Sequence, residues 1–508
     1  MESLSRRDLL RLAALGAAIP AAGALAGPAA ALPRANRGIT SLKALGKSVD
    51  GTLLLPGNAA FAAKAQPWDT YADFGPPAGV LQAKNAGDVA KGISFARTTR
   101  TPLAARSGGH NYAGYSTTPG LLISVGTMRY VRVNAKKRLV TVGAGAQLGN
   151  IYNALAAHGL MISAGTCPTV GVAGNVLGGG FGLSSRKYGL LADNLVSARL
   201  VLADGRVVVA SAKRNPDLYW ALRGGGGGNF GIATQFTFRA QPVGPLAAFK
   251  FQYPWAQGRA AFDAWQQMIS TMSANLTTAS ALLNNAPGTT NPDAMGVQVY
   301  GLYHGTAADL AAQLQPLIAA AGPPPMQTLK DMSFMEQVFF FGNCSDLTSC
   351  QNAPVGDAKP LDYYVKSTYA QNPYPSQAVE TLFGAVEQWP GTSQNCMIES
   401  FSYGGYVNSI APNATAFPHR DQLFCTQAAA FFGPTDSPAV RQAAVDWLTA
   451  LNSSMTPYNS GGAYINYIDG NQTNWEQAYY GANLPRLKKV KRKYDPTNLF
   501  AFEQAIPT

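Results

Sequence analysis

Apolar and polar positions alternate in two rhythms along the first half of the chain. Between Asp88 and Arg97, Val89, Ile93 and Ala96 recur at helical spacing and predict an amphipathic helix. Thr101 to Ala105 then leads into Arg106-Ser-Gly-Gly-His110. Short strands are predicted at Leu121–Val125, Tyr130–Val133 and Leu139–Val142, and a helix at Gln147–His158 on the spacing of Ile151 and Leu155. The run Leu200–Val209 reads as a hairpin, with Asp204-Gly205 as its two-residue turn. Helices and strands mix without a recurring βαβ period, so the expected class is α+β.

The texture shifts near Pro245. Glycine thins, and Trp, Phe, Tyr, Asn and Gln rise. Strands are expected at Gln298–Tyr303 and Met397–Val407, and a helix at Ala439–Leu451; together they suggest an antiparallel sheet covered by helices. A further compact set of signals begins near Gly461. The expected organisation is a signal peptide over 1–31, a first domain over 32–245, a second over 246–459, and a C-terminal part over 460–508 that completes the first.

Composition narrows the function classes. Of 508 residues, 47 % are hydrophobic and 13 % charged, which excludes a disordered polyampholyte. The net charge of +12 would suit nucleic acid. Its densest run, Arg486 to Lys493, has no interleaved aromatic rings and reads instead as a solvated helix face. No nucleic-acid partner is expected. Ser5-Arg6-Arg7-Asp8-Leu9-Leu10 is a twin-arginine pattern, followed by the Ala/Gly-rich stretch Leu12–Leu32 with Ala29-Ala30-Ala31 suited to cleavage. That address predicts a bacterial protein exported already folded, secreted or periplasmic, with no membrane attachment once the signal is removed.

Five cysteines sharpen the picture. Cys344, Cys350, Cys396 and Cys425 could form two disulfides, in any of three connectivities. Cys167 is then odd, and it lies in a region where 15 of the 67 residues from Gly165 to Gly231 are glycine. Three glycine clusters, Gly108-Gly109, Gly178–Gly182 and Gly224–Gly228, could cradle an anion through backbone N–H groups. None has the strand-then-helix placement of a Rossmann fingerprint. His158 reads as a plain helix-end histidine. No HxH, HExxH or CxxC spacing offers a metal site, and no Gly-x-Ser-x-Gly offers a serine nucleophile.

Several segments in order resemble the berberine bridge enzyme-like FAD-linked oxidases of the vanillyl-alcohol oxidase superfamily. They are Arg106-Ser-Gly-Gly-His110, Gly165–Gly182, Arg186–Asn194, Ala463–Asp469, Tyr480–Asn483 and Tyr494–Phe500. The resemblance runs from about residue 66 to the end and is weakest over 246–395. It implies FAD bonded twice, through the 8α-methyl to His110 and through C6 to Cys167. It further implies a cofactor site drawn from Arg106, Ser107, Gly108, Gly109, Asn111, Gly171, Val172, Gly174, Asn175, Gly178, Gly179, Phe181, Gly231, Ile232, Tyr467 and Asn498. Two tethers would raise the reduction potential and fix the ring in an open cleft.

Tyr467 matches the family's catalytic tyrosine, the base that takes a proton as hydride leaves carbon. A free phenol has a pKa near 10 and needs a helper; Glu399 and Tyr403 are candidates. Tyr112, Gln427 and Tyr464 are candidate substrate contacts, although a core aromatic on the same strand is the plainer reading of Tyr464. Two positions depart from the pattern: Asn175 stands where relatives often carry histidine, and Phe181 where plant relatives often carry tyrosine. Val170 matches a position associated with oxygen access, where a small side chain favours an oxidase.

The implied activity is oxidation of an alcohol or hemiacetal carbon, with a sugar favoured and O2 reduced to H2O2. Alternatives are a tailoring oxidase of a glycosylated or polyketide metabolite, and a flavin-binding protein without turnover. Trp255, Trp265 and Trp389 are available as sugar-stacking rings. The expected partners are a small-molecule substrate and O2, and the expected state is a monomer or weak oligomer.

Overall fold

In a computed structural model, the structure describes residues 39–72, 74–285, 292–352 and 362–508. The twin-arginine pattern and the expected cleavage site lie outside these residues. All described residues fall within one compact unit.

Strands Thr52–Leu54, Gly79–Gln82, Leu121–Ser124 and Leu103–Arg106 form a small sheet in that spatial order, with the last three parallel. The helix Ala86–Thr99 covers it with Val89, Ile93 and Ala96 fully buried, as their spacing predicts. Asn85 caps that helix by accepting from Asp88 N–H at 3.0 Å. The carboxylate of Asp88 in turn accepts from the N–H groups of Asp50, Gly51 and Lys84.

A second, antiparallel sheet follows the order Val131–Asn134, Leu139–Gly143, Ile232–Arg239, Leu195–Val201, Val207–Ser211. Its last two strands are the expected hairpin, but the turn is wider than Asp-Gly alone would make it. Leu202 N–H donates to Arg206 O at 2.9 Å, leaving Ala203, Asp204 and Gly205 as a three-residue loop.

The later part of the chain builds a seven-stranded antiparallel sheet. Its spatial order is Met326–Asp331, Ala247–Pro254, Met295–Tyr303, Leu276–Asn284, Cys396–Ser402, Phe424–Phe431, Tyr363–Ala370. Period-two alternation assigns its faces. Phe249, Phe251 and Tyr253 point into a core shared with Phe262, Trp265 and Phe383. Each such fully buried ring contributes about 1.5–3 kcal/mol relative to exposure. Lys250 and the residues in phase with it occupy the other face, which meets the first part of the chain.

Other expectations are corrected here. Trp255, Trp265 and Trp389 are at most 6 % exposed and belong to this core, so none is a sugar platform. The strand expected over 397–407 ends at Ser402, and Tyr406–Ser409 is helical. Ile465–Tyr467 is a 3-10 turn rather than part of a strand. Cys344 and Cys350 form a disulfide, whereas Cys396 and Cys425 are free. Those two lie on neighbouring strands, but Cys396 faces Ala430 and Cys425 faces Phe401, five residues apart along the ladder.

After Ala463 the chain returns to the first core, where Ala478, Tyr480 and Leu487 are buried. The helix Leu484–Tyr494 carries the basic run, yet it is not simply a solvated face. Lys491 is fully buried, paired with Asp495 at 2.7 Å and donating to Asn229 O and Phe500 O. Arg486 lies over the Trp220 ring at 3.9 Å. These contacts bind the C-terminal segment to the glycine loop at 224–231.

Candidate active site

One cavity of about 620 Å³ collects most of the chemistry-bearing residues. That size suits a small-molecule or cofactor site. Its walls come from the loop after Leu103–Arg106, the segment 165–175, the glycine loop, the face of the large sheet, the turn at Tyr464–Ile468 and the C-terminal Phe500–Glu503.

The loop after Leu103–Arg106 is built by its own side chains. The Arg106 guanidinium donates to four backbone carbonyls: Ser116, Lys64, Gln66 and Ala65, at 2.8–3.0 Å. Ser107 Oγ donates to Ala144 O at 2.7 Å. Asn111 Oδ1 accepts from the N–H groups of Ala113 and Tyr115. These three residues shape the wall, with their side chains already engaged by protein, and His110 is left to face the cavity.

The loop meets the Cys167 segment at Gly108 and Gly171. A Cβ on Gly108 would stand 2.4 Å from Gly171 N, and one on Gly171 would stand 2.3 Å from Gly108 N. Only glycine at both positions lets the loops touch. Gly108→Ala must push them apart at a cost of about 1–3 kcal/mol, and is expected to yield protein with a lower Tm, measured by thermal unfolding.

That contact brings the imidazole and the thiol together. Thr169 Oγ1 lies 3.2 Å from His110 Nε2 and 3.2 Å from Cys167 Sγ. Burial pushes the His110 pKa down to about 3, so the ring is neutral and retains a nucleophilic lone pair. Trp68 stacks on it, with centroids 4.5 Å apart. Cys167 is exposed, unlike the two buried free thiols Cys396 and Cys425. Exposure to the cavity, rather than being left over from pairing, is therefore what distinguishes Cys167.

Tyr467, Tyr112, Glu399 and Gln427 all line the cavity. Tyr112 stacks on Tyr467 with centroids 6.0 Å apart, and Tyr363 and Gln427 hydrogen-bond with the Tyr112 side chain. Burial raises the Tyr467 pKa well above 10, reinforced by the neighbouring Tyr112, Cys425 and Glu399. Burial also raises Glu399 to about 7, against the opposing pull of Tyr300 and Lys250.

Gly109, Gly174, Asn175, Phe181, Gly231 and Ile232 line the cavity as expected, as does Val170. Tyr464 lines it too, but its hydroxyl oxygen accepts from Gly180 N, Phe181 N and Asn466 Nδ2 at 3.0–3.1 Å. It therefore fastens the glycine loop more than it offers a substrate contact.

Five expected site residues do not line the cavity. Tyr403 is fully buried behind Phe181, its ring stacked at 4.6 Å and its hydroxyl 3.2 Å from that of Tyr369. Val172 turns its side chain into the core. Gly178 is small because a Cβ there would meet Asn466 Oδ1 at 2.0 Å, and Gly179 packs against Phe417. Asn498 sits in a left-handed turn, φ 50°, that presents Phe500–Glu503 to the cavity.

The donor set fits FAD. Asn175 Oδ1 is a buried acceptor without a partner in the protein, the glycines at 226–228 leave the wall bare, and the imidazole and thiol supply two nucleophiles. Comparison with known proteins agrees. Residues 77–211 match the FAD binding domain family, and residues 463–507 the berberine and berberine like family. An FAD-linked oxidoreductase of Bacillus subtilis, YgaK, is 33 % identical over 433 residues, 84 % of this chain and 90 % of its own length. This chain belongs to the berberine bridge enzyme-like FAD-linked oxidases. The carbohydrate oxidase of Microdochium nivale is 30 % identical over 92 % of this chain and 94 % of its own. Physcomitrella patens BBE-like 1 superimposes with a TM-score of 0.84 at 29 % identity, over 92 % of this chain and 99 % of its own.

As a berberine bridge enzyme-like protein, the chain is an FAD-dependent oxidoreductase with oxidase activity, acting on a small-molecule substrate and O2. Among the described residues, no helix is long and apolar enough to cross a membrane. Sequence reasoning missed several wall residues of this berberine bridge enzyme-like site. Trp68 had no distinguishing local pattern. Tyr363 is in phase with Ser367, the residue paired with the candidate Gln427, and could have been found by stepping in twos from there. Behind the wall, close to Tyr112 and Tyr363, lies buried Asp69, which accepts from Tyr71 N–H and is raised to about 8 by desolvation. Nothing in the sequence separates it from a surface aspartate.

Proposed function

We propose that this chain is an exported oxidase that carries FAD bonded to His110 and Cys167, removes hydride from the hemiacetal carbon of a reducing sugar or oligosaccharide, and converts O2 to H2O2. The observation that carries the reading is the meeting of a neutral imidazole and an exposed thiol at Thr169, in the same cavity as Tyr467. Bound FAD supplies the two-electron acceptor.

The chain's own residues manage the proton. As the substrate C–H bond gives up its electron pair, its hydroxyl proton passes to the Tyr467 oxygen. A phenol held above its ordinary pKa is a strong base once ionised but ionises reluctantly. Glu399, near 7, is the partner able to take the phenolic proton at neutral pH. Tyr112 and Gln427 supply hydroxyl and amide contacts suited to a sugar. The twin-arginine segment over 1–31 supports export.

The kinship with the Microdochium nivale carbohydrate oxidase favours a sugar. Phe341 and Phe401 in the cavity wall favour a second reading, an aromatic or polyketide alcohol. A peroxide-coupled screen separates the two. Turnover of reducing mono- and oligosaccharides supports the first. Turnover of aromatic alcohols alone supports the second, and no peroxide from either class contradicts both.

A further inference from the structure

A polar file crosses the large sheet toward the cavity. Lys250 pairs directly with Tyr300, Tyr300 with Ala279, and Ala281 with Glu399. Period two puts all of them on one face. Ala279 and Ala281, on the intervening strand, are buried and carry nothing beyond Cβ. The Tyr300 ring can therefore pass over that strand, and its hydroxyl donates to Glu399 Oε1. Phe341 and Phe401 pack against the ring at 5.9 and 6.4 Å. Glu399 lines the cavity, while Tyr300 stands behind it. The Tyr300 hydroxyl engages Oε1 and not Oε2 of Glu399.

We propose that Tyr300 is a positioning residue for the oxidation: its hydroxyl clamps one oxygen of Glu399, keeping the carboxylate ionised and its other oxygen available for the proton of Tyr467. The inference rests on the proposed role of Glu399 as the helper of Tyr467. The other groups around the carboxylate are few. Lys250 attracts it from three strands away, Gln427 opposes it on the next strand without charge, and the phenol of Tyr467 faces it from the 3-10 turn.

The sign follows. A donor to the charged form lowers a carboxyl pKa, so its loss raises it. A hydrogen bond to a charged group of ordinary strength corresponds to about 1–2 pH units. Tyr300→Phe keeps the ring and removes the hydroxyl.

The test is an infrared pH titration of the holoenzyme, with the Glu399 carboxyl band isolated as wild type minus Glu399→Gln. It is paired with the pH profile of kcat/KM for cellobiose. The wild-type midpoint is expected near 7, and Tyr300→Phe should raise both the midpoint and the acid limb of the profile by about 1–2 units. Lys250→Met should move both the same way by less. Bound flavin absorbance and Tm report whether each variant is folded. A midpoint unmoved in folded Tyr300→Phe overturns the inference. A midpoint that moves while the acid limb stays fixed overturns instead the role of Glu399. Absence of cellobiose turnover in wild type counts against the sugar reading, and the infrared arm still decides the clamp.

Discussion

Tyr467→Phe is expected to lower kcat by about a thousandfold while leaving flavin content unchanged. Positioned general-base catalysis is worth about 10²–10⁴-fold. Phe removes the only atom of Tyr467 that can accept a proton, yet it preserves the stacking on Tyr112 and the edge contact with Tyr464 at 5.0 Å. Glu399→Gln is expected to fall in the same direction by less, because the phenol remains and only its proton acceptor is lost. Stopped-flow reduction of the bound flavin by substrate measures this step apart from reaction with O2. A Tyr467→Phe variant reduced at the wild-type rate removes Tyr467 as the base.

The second large effect concerns attachment. His110→Ala and Cys167→Ala should each hold their flavin through acid precipitation, because each retains one tether. The double variant should release all of it to the supernatant. The noncovalent site that remains is the bare glycine wall with Asn175; the donors of Arg106 and Ser107 are already spent on the protein itself, and the Tyr464 oxygen already accepts from Gly180 N–H. The double variant should therefore lose yellow colour on dilution as well as in acid. Flavin released equally by both single variants would mean that neither residue is bonded to it.

The residues of this site differ in how legible they are. The short apolar run Leu121–Ile123, buried on both faces of a parallel sheet, and helical spacing over Ala86–Thr99 give their elements directly. His110, Cys167 and Tyr467 stand in ordered motifs, and all three line the cavity. Tyr403 shows where the pattern stops. It is in phase with Glu399 and Phe401, so period two marks a shared face, but phase does not say where along that face the cavity ends. Phe181 closes it before Tyr403.

Glycine clustering has a similar ambiguity. A missing Cβ admits either a ligand or another part of the chain, and at Gly178 it admits Asn466. Strand register was equally hidden. Two cysteines on adjacent strands look pairable until the ladder separates them by five residues. The three tryptophans fail as sugar platforms for a simpler reason: large rings are at home in a core, and composition cannot tell a core from a cleft. Tyr300 was invisible because its link to Glu399 depends on two alanines in a strand between them.

The central claim is that one flavin is bonded to both His110 and Cys167. Peptide mapping of the purified, denatured protein by mass spectrometry tests it most directly. The prediction is one cross-linked species in which the peptide containing His110 and the peptide containing Cys167 are joined through a single FAD. Both peptides recovered at their bare masses from yellow, active enzyme would contradict it.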